Sequence, residues 1–346
     1  MASTLAWLIL PWTWLAADDP AAMERVVVRP RGEPAAATTT YAGEIEDALG
    51  TRIVVREQSG RRVRNLSLDE YEVVELVARF SEKHRQGVTA FAAGDWVTAE
   101  ASLAEALDAE QRRWVRREIL LLRCRVALAR EDHLGACTHF LKVFESDPTT
   151  PALRLIPLKW TAGTADPAVA RAAKGWIDAP SAIARLMGAS HLLEEPGRSD
   201  EAVATLSLLA RHDDRRIATL AGLQLLRRDL TGNPLSDLQL DRRRQQVWSL
   251  VDEFRGGASF LLGRALAARS QSEAAAAAFL WPSTTGRAEG ELAARGLIEA
   301  GIALHQVGQT GDAIRLWREA VARFPKTSWS QEASELERQA REELAK

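Results

Sequence analysis

Reactive chemistry needs particular residue types at particular spacings, and this chain offers few of them. Its two cysteines, Cys124 and Cys137, cannot complete a four-ligand zinc site, and no histidine spacing supplies the missing ligands. Either they oxidise to a disulfide, which needs Cα atoms within about 7 Å, or they are small buried residues packing at a helix pair. The six histidines are scattered singly, with His84, His133 and His305 on helix faces or turns. Aspartate and glutamate are abundant, yet no motif fixes a second carboxylate beside a first. There is no G-x-x-x-x-G-K-[ST], no G-x-G-x-x-G after a strand, no G-x-S-x-G and no H-E-x-x-H. No catalytic residue, metal ligand or cofactor is therefore assigned, and the chain reads as non-enzymatic. Tryptophan is the remaining unusual type. Trp96, Trp114, Trp160, Trp176, Trp248, Trp281 and Trp317 either fill cores or offer faces for stacking on sugar or peptide.

The elements that would position these residues begin from a globular composition, 46% hydrophobic and 27% charged over 346 residues. A net charge of −2 argues against a dedicated nucleic-acid binder, which would carry a basic excess for phosphate. The clusters Arg112-Arg113, Arg116-Arg117 and Arg242-Arg243-Arg244 are balanced by acids elsewhere and read as solvated helix faces.

Residues 1–17, MASTLAWLILPWTWLAA, are apolar and uncharged, and Asp18-Asp19-Pro20 follows at once. The run is short for a bilayer span, which needs about 20 residues, and suits the core of a signal peptide cleaved near Leu15-Ala16-Ala17. The alternative is an apolar tail. No stable membrane span is expected. Residues 24–77 change period. Arg25–Arg29, Tyr41–Ile45, Arg52–Arg56 and Val63–Leu66 are short β-rich runs broken by Gly and Pro, so about four strands are expected. They fit a small bent antiparallel sheet, and their order is similar to SH3-like modules. From Leu68 the period reads as helical, with Asp69-Glu70-Tyr71-Glu72 placing acids in a first turn.

A repeated spacing runs through residues 78–346. Gly301 and Ala313 are twelve apart, with Trp317 and Ala320 following on the second helix and Pro325 ending it. Gly87, Ala99, Leu103 and Ala106 reproduce these offsets, as do Cys124, Ala136 and Phe140, and Gly263, Ala275 and Phe279. Pro148 and Pro282 mark the ends of two of these units. Between Thr149 and Asp241 the pattern is degenerate. Asp166-Pro167 and Ala179-Pro180 start helices there, Arg216–Arg228 is amphipathic, and Leu235–Asp241 reads as a loop. Ser328 to Ala345 reads as a closing helix, capped by Ser328 or Ser330.

This pattern of small, large and proline positions resembles the tetratricopeptide (TPR) repeat, a helix-turn-helix unit of about 34 residues. The resemblance implies a mainly α fold: a TPR-like α-α superhelix preceded by the small SH3-like β domain. Its concave face, lined by first helices, would bind a protein or peptide. Carried over position by position, that lining is His84, Val88 and Phe91, then Leu121, Arg125 and Leu128. It continues through Phe260 and Arg264 to Ile298, Ile302 and His305. The chaperone-type carboxylate clamp is not expected, because its positions hold His84, Val88 and Leu122. The ending Arg323-Phe324-Pro325-Lys326-Thr327-Ser328 is similar to boundaries in envelope TPR proteins. With the N-terminal run, it makes the expectation an exported interaction scaffold of the periplasm or cell envelope. The alternative is a carbohydrate- or envelope-polymer-binding protein using exposed tryptophans.

Overall fold

The structure, a computed structural model, describes residues 24–33, 36–57, 62–230, 235–284, 291–325 and 327–345. The expected export signal at 1–17 lies outside these residues. The described chain is mainly helical, with fourteen α-helices after a five-stranded antiparallel sheet. It divides into two compact units: unit 1 is 1–126 with 135–156, and unit 2 is 127–134 with 157–346. That division differs from the 77/78 boundary read from the sequence, because the sheet shares unit 1 with helices.

In unit 1 the strands are β1 (Arg25–Pro30), β2 (Thr39–Leu49), β3 (Arg52–Glu57), β4 (Val63–Ser67) and β5 (Tyr71–Val77), ordered β4-β3-β2-β1-β5. Alternation gives one buried face: Val26, Val28, Ile45, Ile53, Val55, Leu66 and Val73. On the other face Arg25 pairs with Glu75 at 2.8 Å and Arg29 with Glu72 at 2.9 Å. The long β2 bends to serve both β1 and β3, through a register shift between Ile45 and Asp47. Gly43, two residues before that shift, has φ +156°, and a Cβ there would lie 2.0 Å from the Arg56 carbonyl oxygen.

The two edge strands, β4 and β5, are joined only by Leu68-Asp69-Glu70. So short a link reaches about 13 Å, so the sheet must curl to bring its edges near each other. Leu68 N donates to Thr51 O (2.7 Å) and Arg31 N to Glu70 O (2.8 Å), fixing the crossing at one end. This corrects the sequence reading from Leu68: Asp69 and Glu70 form a turn, and Tyr71–Val77 is a strand. The acids mimic a helix start, but Val73, Val74 and Val77 are β-branched, and Val73 and Val77 pair along β1 while Val74 falls at a register shift.

Four helices follow the sheet: α1 (Glu82–Ala92), α2 (Trp96–Ala109), α3 (Arg113–Ala129) and α4 (His133–Ser146). Ser81 caps α1 and Asp95 caps α2 through their side chains. Glu24, almost fully buried, ties sheet to helices by accepting from Ile45 N (2.9 Å), Arg79 N (3.0 Å) and the Arg112 guanidinium (2.9 Å). The sheet thus shares unit 1's core. Cys124 and Cys137 are both buried, and no disulfide joins them.

Unit 2 contains α5 (Pro167–Trp176), α6 (Ala182–Leu192), α7 (Ser199–Leu209), α8 (Arg215–Asp229), α9 (Asp237–Ser249) and α10 (Asp252–Ala267). It continues with α11 (Ser272–Thr284), α12 (Glu291–Gln306), α13 (Thr310–Arg323) and α14 (Ser328–Leu344). Most helices touch the next in sequence, and α6, α8, α10, α12 and α14 also touch one another in turn. These even-numbered helices therefore form one layer, which we call the inner layer, with the odd-numbered helices α7, α9, α11 and α13 outside it.

Close helix approach is written in glycine. A Cβ at Gly263 would lie 2.6 Å from the Phe279 ring, and one at Gly301 would lie 2.4 Å from Trp317 Nε1. In unit 1, Gly87 meets Leu103 in the same way at 2.6 Å. Each small residue faces the large residue sixteen positions on, so the offset read from the sequence is a packing contact.

Three boundaries differ from expectation. Leu235–Asp241 is not a loop: Ser236 and Gln239 form a capping box that starts α9. Pro282 lies inside α11 rather than ending it. The final helix is capped by Thr327, whose side chain accepts from Ser330 N, and not by Ser328 or Ser330.

Candidate functional site

Of the eleven residues expected to line a concave face, several lie inside the units. His84 is 3% exposed, edge-on to Phe80 at 4.5 Å, and burial, helped by Arg112, lowers its pKa to about 4. Leu121, Phe260 and Ile298 are also buried, Phe260 against Phe279 at 5.3 Å. These four cannot meet a partner as they stand. Amphipathic spacing alone does not separate a groove-facing residue from one turned toward the neighbouring helix. Val88, Phe91, Arg125, Leu128, Arg264, Ile302 and His305 are part-exposed. Unit 1 brings two of them together, with the Arg125 guanidinium 4.4 Å from the Phe91 ring centroid. In unit 2, His305 contacts Thr310 Oγ1 at 3.1 Å and Glu343 at 3.1 Å.

A site the sequence reading missed lies on the inner layer of unit 2. Residues 157–165 carry no regular secondary structure and run across α6, α8, α10 and α12. Their backbone is held by side chains of those helices and of the α6–α7 turn. On α8, Arg227 is fully buried and donates to Lys159 O and, at 2.6 Å, to Ser190 O. On α6, Ser190 Oγ accepts from Lys159 N (3.0 Å) while donating to Gln224 (3.0 Å). His191 Nε2 lies 3.0 Å from Pro157 O, which only accepts, so that nitrogen carries the ring proton. Glu194 accepts from Gly163 N, and Glu195 from Ala165 N at 2.9 Å. Beyond the backbone, Thr161 Oγ1 bonds Glu291 on α12 (3.2 Å), and Trp160 fills the notch at Gly257 on α10, where a Cβ would lie 2.6 Å from the indole.

The electrostatics match this arrangement. Burial lowers the Arg227 pKa to about 10, with Glu194 at 3.5 Å opposing the shift. Burial also pushes the Lys159 ammonium down, against the pull of Glu291 and Glu194. His191 falls to about 3, chiefly through burial. Further along, Arg295 pairs with Glu332 at 2.5 Å. Beside them burial raises the Glu299 carboxyl, an effect opposed by Arg295 and Arg264 and reinforced by Glu332. Chemically this is a row of donors and acceptors suited to extended main chain. Among the described residues, no group of three His, Cys, Asp or Glu side chains could hold a metal ion, and no helix is long and apolar enough to cross a membrane.

Comparison with known proteins found no matching family model, no matching curated protein and no matching solved structure. The side-chain pattern carries no signal for the inner-layer segment, because its main-chain atoms make most of the contacts that hold it.

Proposed function

We propose that this chain is a non-catalytic interaction scaffold: a TPR-like array of helical hairpins with an SH3-like module at its start, exported to the cell envelope. It binds an extended segment of a partner protein along its inner helices. One observation carries the reading: the inner layer of unit 2 already holds an extended segment of its own chain, largely through main-chain atoms. Such contacts recognise extended backbone whatever its sequence, and apolar notches add side-chain selectivity. The part-exposed members of the expected lining, Phe91 with Arg125 in unit 1 and Arg264 with Ile302 in unit 2, are where a partner would add contacts.

The test is site-specific photo-crosslinking in intact cells, with the probe at Arg264 or Ile302 and, separately, at Val97 on the exposed surface of α2. A defined protein captured from the inner-layer positions, absent from Val97 and lost in a Phe91→Ala/Arg125→Ala/Arg264→Ala variant that still folds, supports the reading. Identical capture from all three probes sinks it.

A second reading rests on Trp248. Its side chain is 57% exposed, lies edge-on to Trp281 at 5.5 Å, and shares with it the Arg255 guanidinium. An exposed ring backed by a part-buried one in this way suits an envelope polysaccharide. Retention on such a polymer that Trp248→Ala abolishes would favour it over the scaffold.

A further inference from the structure

Between its sheet and helices, unit 1 contains a partly open cavity of ≈ 60 Å³. A single water needs about 10–15 Å³ on the same measure, so a small ligand fits. Its walls are mostly apolar, with Ile45 and Ile53 from the sheet and Leu121 and Val143 from α3 and α4. Five polar side chains also reach it, and four are committed elsewhere, Thr150 by accepting from Ala152 N at 3.3 Å. Arg117 donates to Asp47, to Ala48 O (2.7 Å) and to Ser146 (3.1 Å). Asp147 accepts from Gly50 N (2.9 Å) and from Thr149, and Trp114 Nε1 donates to Ile45 O (2.9 Å). The fifth, part-exposed Glu118 on α3, has no hydrogen-bond partner among the described residues, while Arg125 of the same helix acts on it electrostatically.

We propose that this cavity binds a primary ammonium group on a short apolar stem, with the Glu118 carboxylate as its counter-ion. A carboxylate bounded by apolar walls and supplied with no donor is costly to keep, and a cationic donor removes that cost. The committed state of Arg117 leaves no cation for an anionic or zwitterionic ligand. The apolar wall takes the stem. The same chemistry is carried by a free alkylamine and by the lysine side chain of a partner, and the test separates them.

The charged groups around Glu118 are Arg117 and Arg125 on its own helix, Asp47 on β2 and Asp147 after α4. Burial outweighs Arg125 and lifts the Glu118 carboxyl to about 7. Binding needs the ionised form, which is about nine-tenths of the protein at pH 8 and one-tenth at pH 6. The apparent Kd is therefore about 10-fold weaker at pH 6, since a ligand is penalised by the fraction of the competent state.

The experiment is calorimetric titration of the full chain with n-butylammonium chloride, with sodium chloride as the ionic control and Nα-acetyl-lysine amide as the second ligand. Saturable binding at pH 8, about 10-fold weaker at pH 6 and abolished by Glu118→Gln, is the expected result. Binding of the free amine alone assigns a metabolite-type ligand. Binding of the lysine derivative as well assigns a partner's side chain. No saturable heat at pH 8, or equal binding by the Glu118→Gln variant, overturns the proposal. Glu118→Leu is the second variant: it fills the cavity with apolar atoms, so it should raise the melting temperature while removing binding. A lowered melting temperature would mean that Glu118 serves packing instead.

Discussion

His84 and His191 are held as neutral rings, and each therefore couples folding to acid. Their pKa values are depressed to about 4 and about 3, chiefly by burial, against an ordinary value near 6.5. For a base with a lowered pKa, the unfolded chain binds protons first. The stabilisation is complete above about pH 6.5 and is lost as pH falls toward the folded value. Each ring costs about 1.4 kcal/mol per pH unit across that window. Urea midpoints should thus fall between pH 7 and pH 5. His191→Gln, which keeps a donor toward Pro157 O, should remove one proton's worth of the slope for unit 2. An unchanged slope would mean that His191 is charged in the fold. Glu118 has the opposite sign: its raised pKa favours the native state at low pH and penalises it as pH climbs toward 7. In unit 1 the two dependences partly cancel, so its midpoint should vary less with pH than that of unit 2.

The segment across the inner layer depends most on Arg227. Replacing it with methionine keeps volume but strands the Lys159 and Ser190 carbonyls and leaves Glu194 without its buried counter-charge. Losing one partner of a buried pair costs about 3–5 kcal/mol, and Arg227→Lys should recover little because one ammonium cannot serve two carbonyls at once. Chemical denaturation checks this, and hydrogen exchange at 157–165 should rise before that of the helices. These elements also show what was readable in advance. The sixteen-residue offset was legible because helix packing repeats side chains at fixed intervals, and Gly301 against Trp317 turned out to be a contact. The segment at 157–165 was not, because main-chain atoms bond to it and leave no pattern in side-chain identity. Strand β5 was misread because Asp69 and Glu70 suit a turn as well as a helix start. Helix α9 was missed although Ser236 and Gln239 carried its capping signature. For the candidate lining, periodicity placed residues on helices correctly but could not say which, like Ile298, would be covered by the neighbouring helix.

Two compact units imply two cores that can be perturbed one at a time. Valine at Gly87 would strike Leu103 in unit 1, and valine at Gly301 would strike Trp317 in unit 2. Overpacking of this sort costs about 1–3 kcal/mol. Hydrogen exchange should show Gly87→Val loosening α1 and α2 while leaving α12 and α13 protected, and the reverse for Gly301→Val. Equal loosening of both units by either change would mean a single cooperative core. The sheet of unit 1 sets a different demand on the molecule, one of timing. Pro30 pairs with Tyr71 and Arg25 with Val77, so β1 gains its β5 partner only 41 to 52 residues later. At a synthesis rate of about 5–20 residues per second, that leaves a three-valine strand waiting roughly 2–10 s beside other nascent chains. Arg25, Arg29 and Pro30 bracket those valines, and charge and proline are what block stray strand addition. Of the pairs that the two arginines later make, the exposed one between Arg25 and Glu75 adds little to stability, and the one between Arg29 and Glu72 is part-buried. Their larger contribution comes earlier, in keeping the unfinished chain soluble until its closing strand arrives.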